Sequence, residues 1–172
     1  MPKIITGLRE RLLEAAERQL ITSGYASMTI RMVAKECNVA VGTVYNYFSG
    51  KEEFAASVLL ERWKKALEDI DAVAAECRQA QEVVQRMYEQ LCSYMDQYKV
   101  LFRDEAAIAI FTVSMARYHE MLRCQLAKPL LPFCQREFEA EFIAEALLTW
   151  TVAGKSFDEI YYVVHKILNE EK

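Results

Sequence analysis

From Val41 to Lys51 the chain reads VGTVYNYFSGK. The Thr43 hydroxyl and the Asn46 amide can each donate and accept a hydrogen bond, which is what reading a base edge requires. The hydroxyls of Tyr45 and Tyr47 can reach phosphate oxygens, or their rings can pack on sugars and thymine methyls. Gly42 has no side chain, so the backbone there can come close to a phosphate. Lys51 opens the next helical stretch, where its ammonium and the positive helix end attract the same anion. The chemistry these groups offer is recognition of a duplex. The same residues also fit a plainer alternative, a small helical subdomain with two tyrosines in its core.

Elsewhere the reactive residues form no catalytic pattern. Cys37, Cys77, Cys92, Cys124 and Cys134 are scattered and make no CxxC pair. Reduced thiols in a cytoplasmic protein are the expectation. His119 and His165 stand far apart on apolar-rich segments, so no metal site is expected. No Gly-rich phosphate loop, HExxH or Ser/His/Asp order occurs, and the chain is read as a non-enzyme without a cofactor. The longest uncharged run, 37–50, is too short for a membrane span of about 20 residues, and so is the apolar run 106–116. The opening MPKIITGLRE lacks the apolar stretch of a signal peptide.

The elements that position Thr43 and Asn46 must be helices. Of 172 residues, 53% are apolar, and none of the five Gly falls between Lys51 and Ala153. So few breakers in a long Ala/Leu/Glu-rich stretch favour an all-α chain. Residues 1–51 carry seven Lys/Arg against four Asp/Glu, while 52–172 carry fourteen against twenty-one. A mildly basic head on an acidic body suits a head that meets a polyanion.

Leu8, Leu12, Ala15, Ala16, Leu20 and Ile21 recur at helical spacing, with Arg9, Glu10, Glu14, Glu17 and Arg18 on the outside. This spacing predicts a helix over about 8–22, ended by Gly24. Thr29 caps a short second helix with Ile30, Val33 and Ala34 inward. Cys37-Asn38-Val39 makes the turn, since Asn tolerates positive φ better than most residues. A third helix of two turns over Val41–Phe48 turns Val44 and Phe48 inward at i, i+4 and leaves the polar residues outside. Two short helices with a tight turn make a helix-turn-helix, whose second helix fits a major groove about 12 Å wide.

The stretch MTIRMVAKECNVAVGTVYNYFSGKEEF resembles the DNA-binding head of the tetracycline-repressor (TetR) family of bacterial transcription regulators. Thr29, Ala34, Val39, Gly42, Thr43, Tyr45, Tyr47, Phe48 and Lys51 carry the resemblance, with Ala15, Ala16 and Gly24 upstream. It covers about residues 8–56. Asn38 replaces the Gly usual in the turn, and Ala40 replaces a capping Ser or Thr, a loss of about 0.5–2 kcal/mol. The resemblance implies DNA contacts at Thr29, Arg31, Val41, Gly42, Thr43, Tyr45, Asn46, Tyr47 and Lys51. Arg31 and Lys51 would be the phosphate anchors, and Val41, Thr43 and Asn46 the base readers. Arg31 also fits a solvated charge on the second helix.

The division expected is a helix-turn-helix DNA-binding domain over 1–50 and a helical ligand-binding and dimerisation domain over 51–172. Ser49-x-x-Glu52 reads as a capping box that starts a helix over about 51–71. A second helix spans about 80–98 and a third about 104–126, before Pro129 and Pro132 interrupt. Their Met and aromatic stripes serve as core or as pocket lining. The resemblance implies a pocket for a small apolar or aromatic effector, with Trp63, Tyr88, Phe111, Met115 and Tyr118 as its expected lining. Phe142, Ala146 and Trp150 stripe a helix over about 139–153, which Gly154 can end. Ser156–Glu159 caps a last helix bearing Phe157, Tyr161, Tyr162 and Val164. A terminal helix apolar on more than one side needs a second neighbour, from its own chain or a partner copy. The resemblance implies a homodimer through these two helices, reading an inverted-repeat duplex as a repressor. A helical binding or sequestering protein without operator affinity is the rival reading.

Overall fold

A computed structural model of the chain describes residues 6–98 and 119–169. Its elements are helices: α1 Leu8–Ser27, α2 Ile30–Glu36, α3 Val41–Tyr45, α4 Lys51–Ala74 and α5 Ala80–Tyr98. Helical residues 119–127 form α6, a 3-10 turn spans Lys128–Phe133, and α7 Glu137–Val152 and α8 Phe157–Leu168 close the chain. No strand occurs among the described residues, as the scarcity of Gly and Pro predicts. These helices fall into two compact units. One holds the described part of Met1–Arg62 with Gln97 and Tyr98; the other holds Trp63–Asp96 and 119–169.

The first unit is built on α1. Leu8, Leu12, Ala15, Ala16 and Leu20 are fully buried, as their spacing predicts, but Ile21, expected on the same stripe, is exposed. Gly24 takes φ 77 and ψ 168, a conformation costly for any residue with a Cβ. It kinks the helix rather than ending it, and helical structure resumes as far as Ser27. Thr29 caps α2, its Oγ1 accepting from the Met32 amide at 3.2 Å. Asn38 holds the turn at φ 56. Phe48 stacks on Phe54 with ring centroids 4.2 Å apart. Burying a side chain of this size is worth about 1.5–3 kcal/mol.

Three local expectations need correction. Glu17 is not on the outer face: it is 8% exposed, ion-paired with Arg62 of α4, and accepts from the Tyr98 hydroxyl at 2.6 Å. A carboxylate one turn after Leu13 and one residue after Ala16 lies on the apolar side, and paired donors make its burial tolerable. The residue that reaches back at the start of α4 is Glu53, not Glu52, accepting from the Ser49 amide at 2.7 Å. With Lys51 as the first helical residue, Glu53 is the third, the position whose side chain folds back over the helix end. The third helix is also shorter than two turns, ending at Tyr45 before a turn at Asn46 and Tyr47.

The second unit packs α4 from Trp63 onward, α5 as far as Asp96, and α6–α8 around Trp63, Leu67, Val84, Met87, Leu126, Ile143, Leu147 and Ile160. The two prolines sit in the 3-10 turn, where a missing amide and a fixed φ are accommodated. Gly154, at φ 78, ends the turn after α7, with the Lys155 amide donating to the Trp150 carbonyl at 2.9 Å. The Ser156–Glu159 box forms as expected: Ser156 Oγ accepts from the Glu159 amide at 3.3 Å, and Glu159 accepts from the Ser156 amide at 3.0 Å. The Lys155 ammonium, with the Ser156 donors behind it, holds the Glu159 carboxyl down at about 2.

Candidate nucleic-acid interface

The helix-turn-helix splits its residues by solvent access. Val44 and Phe48 are 0% and 2% exposed, so the i, i+4 pair anchors the segment. The opposite edge is open: Tyr45 is 53% exposed, Gly42 and Asn46 are exposed, and Val41, Thr43 and Tyr47 are half-buried. Ala40 supplies no side-chain cap to α3, as its type dictates. A Cβ at Gly42 would meet nothing within 4 Å. The glycine is therefore not demanded by packing inside the head.

The cations around this edge differ in their partners. Arg31 and Lys35 stand exposed on α2. Lys51 is held at the end of α1: its Nζ donates to the Ala26 carbonyl at 3.2 Å and lies 4.2 Å from the centre of the Tyr25 ring. Thr29 is exposed but already occupied in capping α2. Arg9 pairs with Glu61 at 3.3 Å, and its guanidinium lies over the Phe48 ring. The structure thus gathers Thr29, Arg31, Val41, Gly42, Thr43, Tyr45, Asn46, Tyr47 and Lys51 onto one small head, with Val44 and Phe48 beneath.

The profile of bacterial regulatory proteins, tetR family, matches residues 12–58, the span of α1 through the start of α4. The head is similar to the DNA-binding part of that family. Its sequence relatives include a helix-turn-helix transcriptional regulator of Haemophilus influenzae, 40% identical over 48 residues, covering 28% of this chain and 26% of that protein. The regulator YhgD of Bacillus subtilis is 26% identical over 108 residues, 61% of this chain and 56% of its own length. The chain thus spans between about a quarter and just over half of these relatives. Its fold is similar over a longer stretch to Thermus thermophilus FadR, a TetR-family repressor solved with lauroyl-CoA. That likeness has a TM-score of 0.64 at 20% identity and covers 94% of this chain and 93% of the other.

Outside the head, the two described residues of the expected ligand set keep different partners. Trp63 is 5% exposed, donates from Nε1 to Gln125 Oε1 at 3.3 Å, and meets the Tyr94 ring edge-on at 5.6 Å. Burial raises the Tyr94 phenol well above its ordinary pKa. Tyr88 instead donates to the Lys155 carbonyl at 3.0 Å and packs on Phe157. Phe111, Met115 and Tyr118 lie outside the described residues. A separate hollow of about 430 Å³ lies between the end of α4 and the 3-10 turn, lined by Ala74, Cys77, Lys128 and Phe133 among others. No group of His, Cys, Asp and Glu able to hold a metal occurs among the described residues. None of their helices is long and apolar enough to cross a membrane.

Of the expected dimer residues, Phe142, Ala146, Trp150, Tyr162 and Val164 share one groove, whereas Phe157 and Tyr161 pack against the chain's own core. Phe142, Ala146 and Trp150 of α7 line an open groove of about 710 Å³ with Ile160, Tyr162, Val163 and Val164 of α8. Trp150 and Tyr162 are 50% and 68% exposed, while Val164 is buried at the groove's base. Phe157 and Tyr161 stack on each other at 5.1 Å, half-buried along α8. Phe138, 70% exposed and packed near Phe142, extends the apolar face and escaped the spacing argument. Its place in the first turn of α7, before the expected start at residue 139, explains the omission.

Proposed function

We propose that this chain is a homodimeric, sequence-specific DNA-binding regulator of transcription, acting in the cytoplasm. It is a repressor that a small apolar or aromatic ligand releases from an inverted-repeat operator. The observation that carries the reading is the divided surface of 41–48: Val44 and Phe48 are buried while Tyr45 and Asn46 are open. Residues 1–50 serve as the DNA-binding domain, and 51–172 as the ligand-binding and dimerisation domain. Thr43 and Asn46 read base edges, with Val41 packing on thymine methyls. Tyr45, Tyr47, Thr29, Arg31, Lys51 and the Gly42 backbone meet sugars and phosphates.

The exposed face of α7 and α8 supports a two-fold partner, since a contiguous apolar surface of this kind marks an interface. Two heads then enter successive major grooves about 34–36 Å apart. The lauroyl-CoA held by the Thermus relative supports an apolar effector in the body. Helix α4 contributes residues to both units, which gives a change in the body a continuous path to the head. A coupling of about 1–3 kcal/mol between ligand and DNA is enough for regulation.

The test is selection of duplexes from a random-sequence library by the purified protein, followed by anisotropy titration at physiological salt. The expected result is an enriched inverted repeat bound at least about a thousandfold more tightly than scrambled DNA. Equal affinity for both refutes the reading.

A further inference from the structure

Arg11 belongs to the basic head, yet its guanidinium is directed at the protein. Its Nη2 donates to the Cys37 carbonyl at 3.0 Å. Cys37 closes α2, so this carbonyl is one that a helix end leaves without an intrahelical partner. The same two residues are joined a second time: the buried Cys37 thiol donates to the Arg11 carbonyl at 3.4 Å. One residue earlier, Glu36 accepts from Arg18 Nη2 at 2.8 Å and from Gln19 Nε2 at 3.1 Å. Helix α1 therefore grips the last turn of α2 at two consecutive residues.

The turn into α3 begins directly after that grip. Asn38 takes its left-handed conformation, and the Val39 amide returns to the Ala34 carbonyl at 2.9 Å. Helix α3 begins at Val41 with no side-chain cap of its own. Beyond the burial of Val44 and Phe48, the direction of so short a helix is set by where α2 ends.

We propose that Arg11 is a positioning residue for DNA reading. It clasps the end of α2 to α1 and so fixes the angle at which α3 offers Thr43 and Asn46, without touching DNA itself. The proposal rests on the regulator reading above. It also separates Arg11 from Arg31, the exposed cation of α2 that is assigned to phosphates.

The probe is a duplex selected by the wild-type protein from a random library, titrated by anisotropy across a salt series. The titration is run at a temperature where circular dichroism shows each variant folded. Arg11→Ala is expected to weaken binding about tenfold, the scale of one hydrogen bond from a charged donor, with the slope of log affinity against log salt unchanged. A residue serving stability alone leaves the affinity of the folded protein untouched, and that result overturns the proposal. A phosphate contact lowers the slope by about 0.9, and that result overturns it equally. Should Arg11→Ala fail to fold, Arg11→Met keeps the apolar stem and removes the donor, with the same expected and overturning results. A wild-type protein that selects no duplex refutes the regulator reading itself, and this proposal with it. A wild type that binds, beside a variant that binds as well, refutes only the role of Arg11.

Discussion

Gly42→Ala separates recognition from folding. Gly42 lies in the first turn of α3, is exposed, and is not among the glycines at positive φ. A Cβ built there meets nothing within 4 Å. Alanine therefore enters without strain and gains helix propensity, at most about 0.5–1 kcal/mol. The melting temperature of the free protein should stay level or rise. In the complex the same methyl, about 1.5 Å from Cα, stands where a phosphate oxygen would approach the backbone to about 2.9 Å. Loss of one charge-assisted contact costs about 1.5–3 kcal/mol, or about 10- to 150-fold in Kd. Thermal melting and anisotropy on one preparation read both effects. Unchanged Kd beside an unchanged melt refutes the close approach at Gly42. A lower melting temperature refutes the claim that the site is open in the free head.

Tyr98→Phe deletes the 2.6 Å hydrogen bond to Glu17 and leaves a buried carboxylate one donor short. Urea denaturation should show a loss of about 1–3 kcal/mol; no loss would mean that Arg62 and Gln97 satisfy Glu17 without it. Acid response follows from three depressed carboxyls: Glu159 at about 2 beside Lys155 and Ser156, Glu36 lowered by Arg18 and then Gln19, and Glu53 lowered by hydrogen bonds from Ser49. A depressed folded pKa gives stability that is fully present above the ordinary value of about 4.3 and is lost as pH falls through the folded value. Glu159→Gln should therefore flatten the stability profile between that range and about pH 2; identical profiles for variant and parent would refute the assignment. Tyr162→Glu alters a side chain 68% exposed in the single chain, so helicity should persist while sedimentation shifts from dimer to monomer. A dimer that survives the change removes α8 from the interface.

The parts legible from sequence are those whose cause is local. Thr29 and Ser156 announce helix starts because a cap is a bond across three residues, and both bonds form. Val44 and Phe48 announce an inward face because one helical turn links them, and the polar edge follows by subtraction. Where two local signals compete, reading fails by a residue: Ser49 has Glu52 three positions on, but the helix starts at Lys51 and places Glu53 over its end. Gly24 signals a break, and only packing around Tyr25 and Met28, both buried, decides that the chain resumes its helix.

Long-range contacts leave no such trace. Arg11 and Cys37 are 26 residues apart, and Glu17 and Tyr98 are 81 apart. No periodicity links either pair, so Arg11 counted only as one more head charge and Glu17 only as an outer one. The body shows the same limit. Trp63 has the spacing of a core residue and of a pocket residue alike, because both kinds face inward from α4. Its hydrogen bond to Gln125 and edge contact with Tyr94 make it a fixed wall. A ligand recognised by Trp63 must therefore meet the ring where Tyr94 and Gln125 leave it open, or displace one of them.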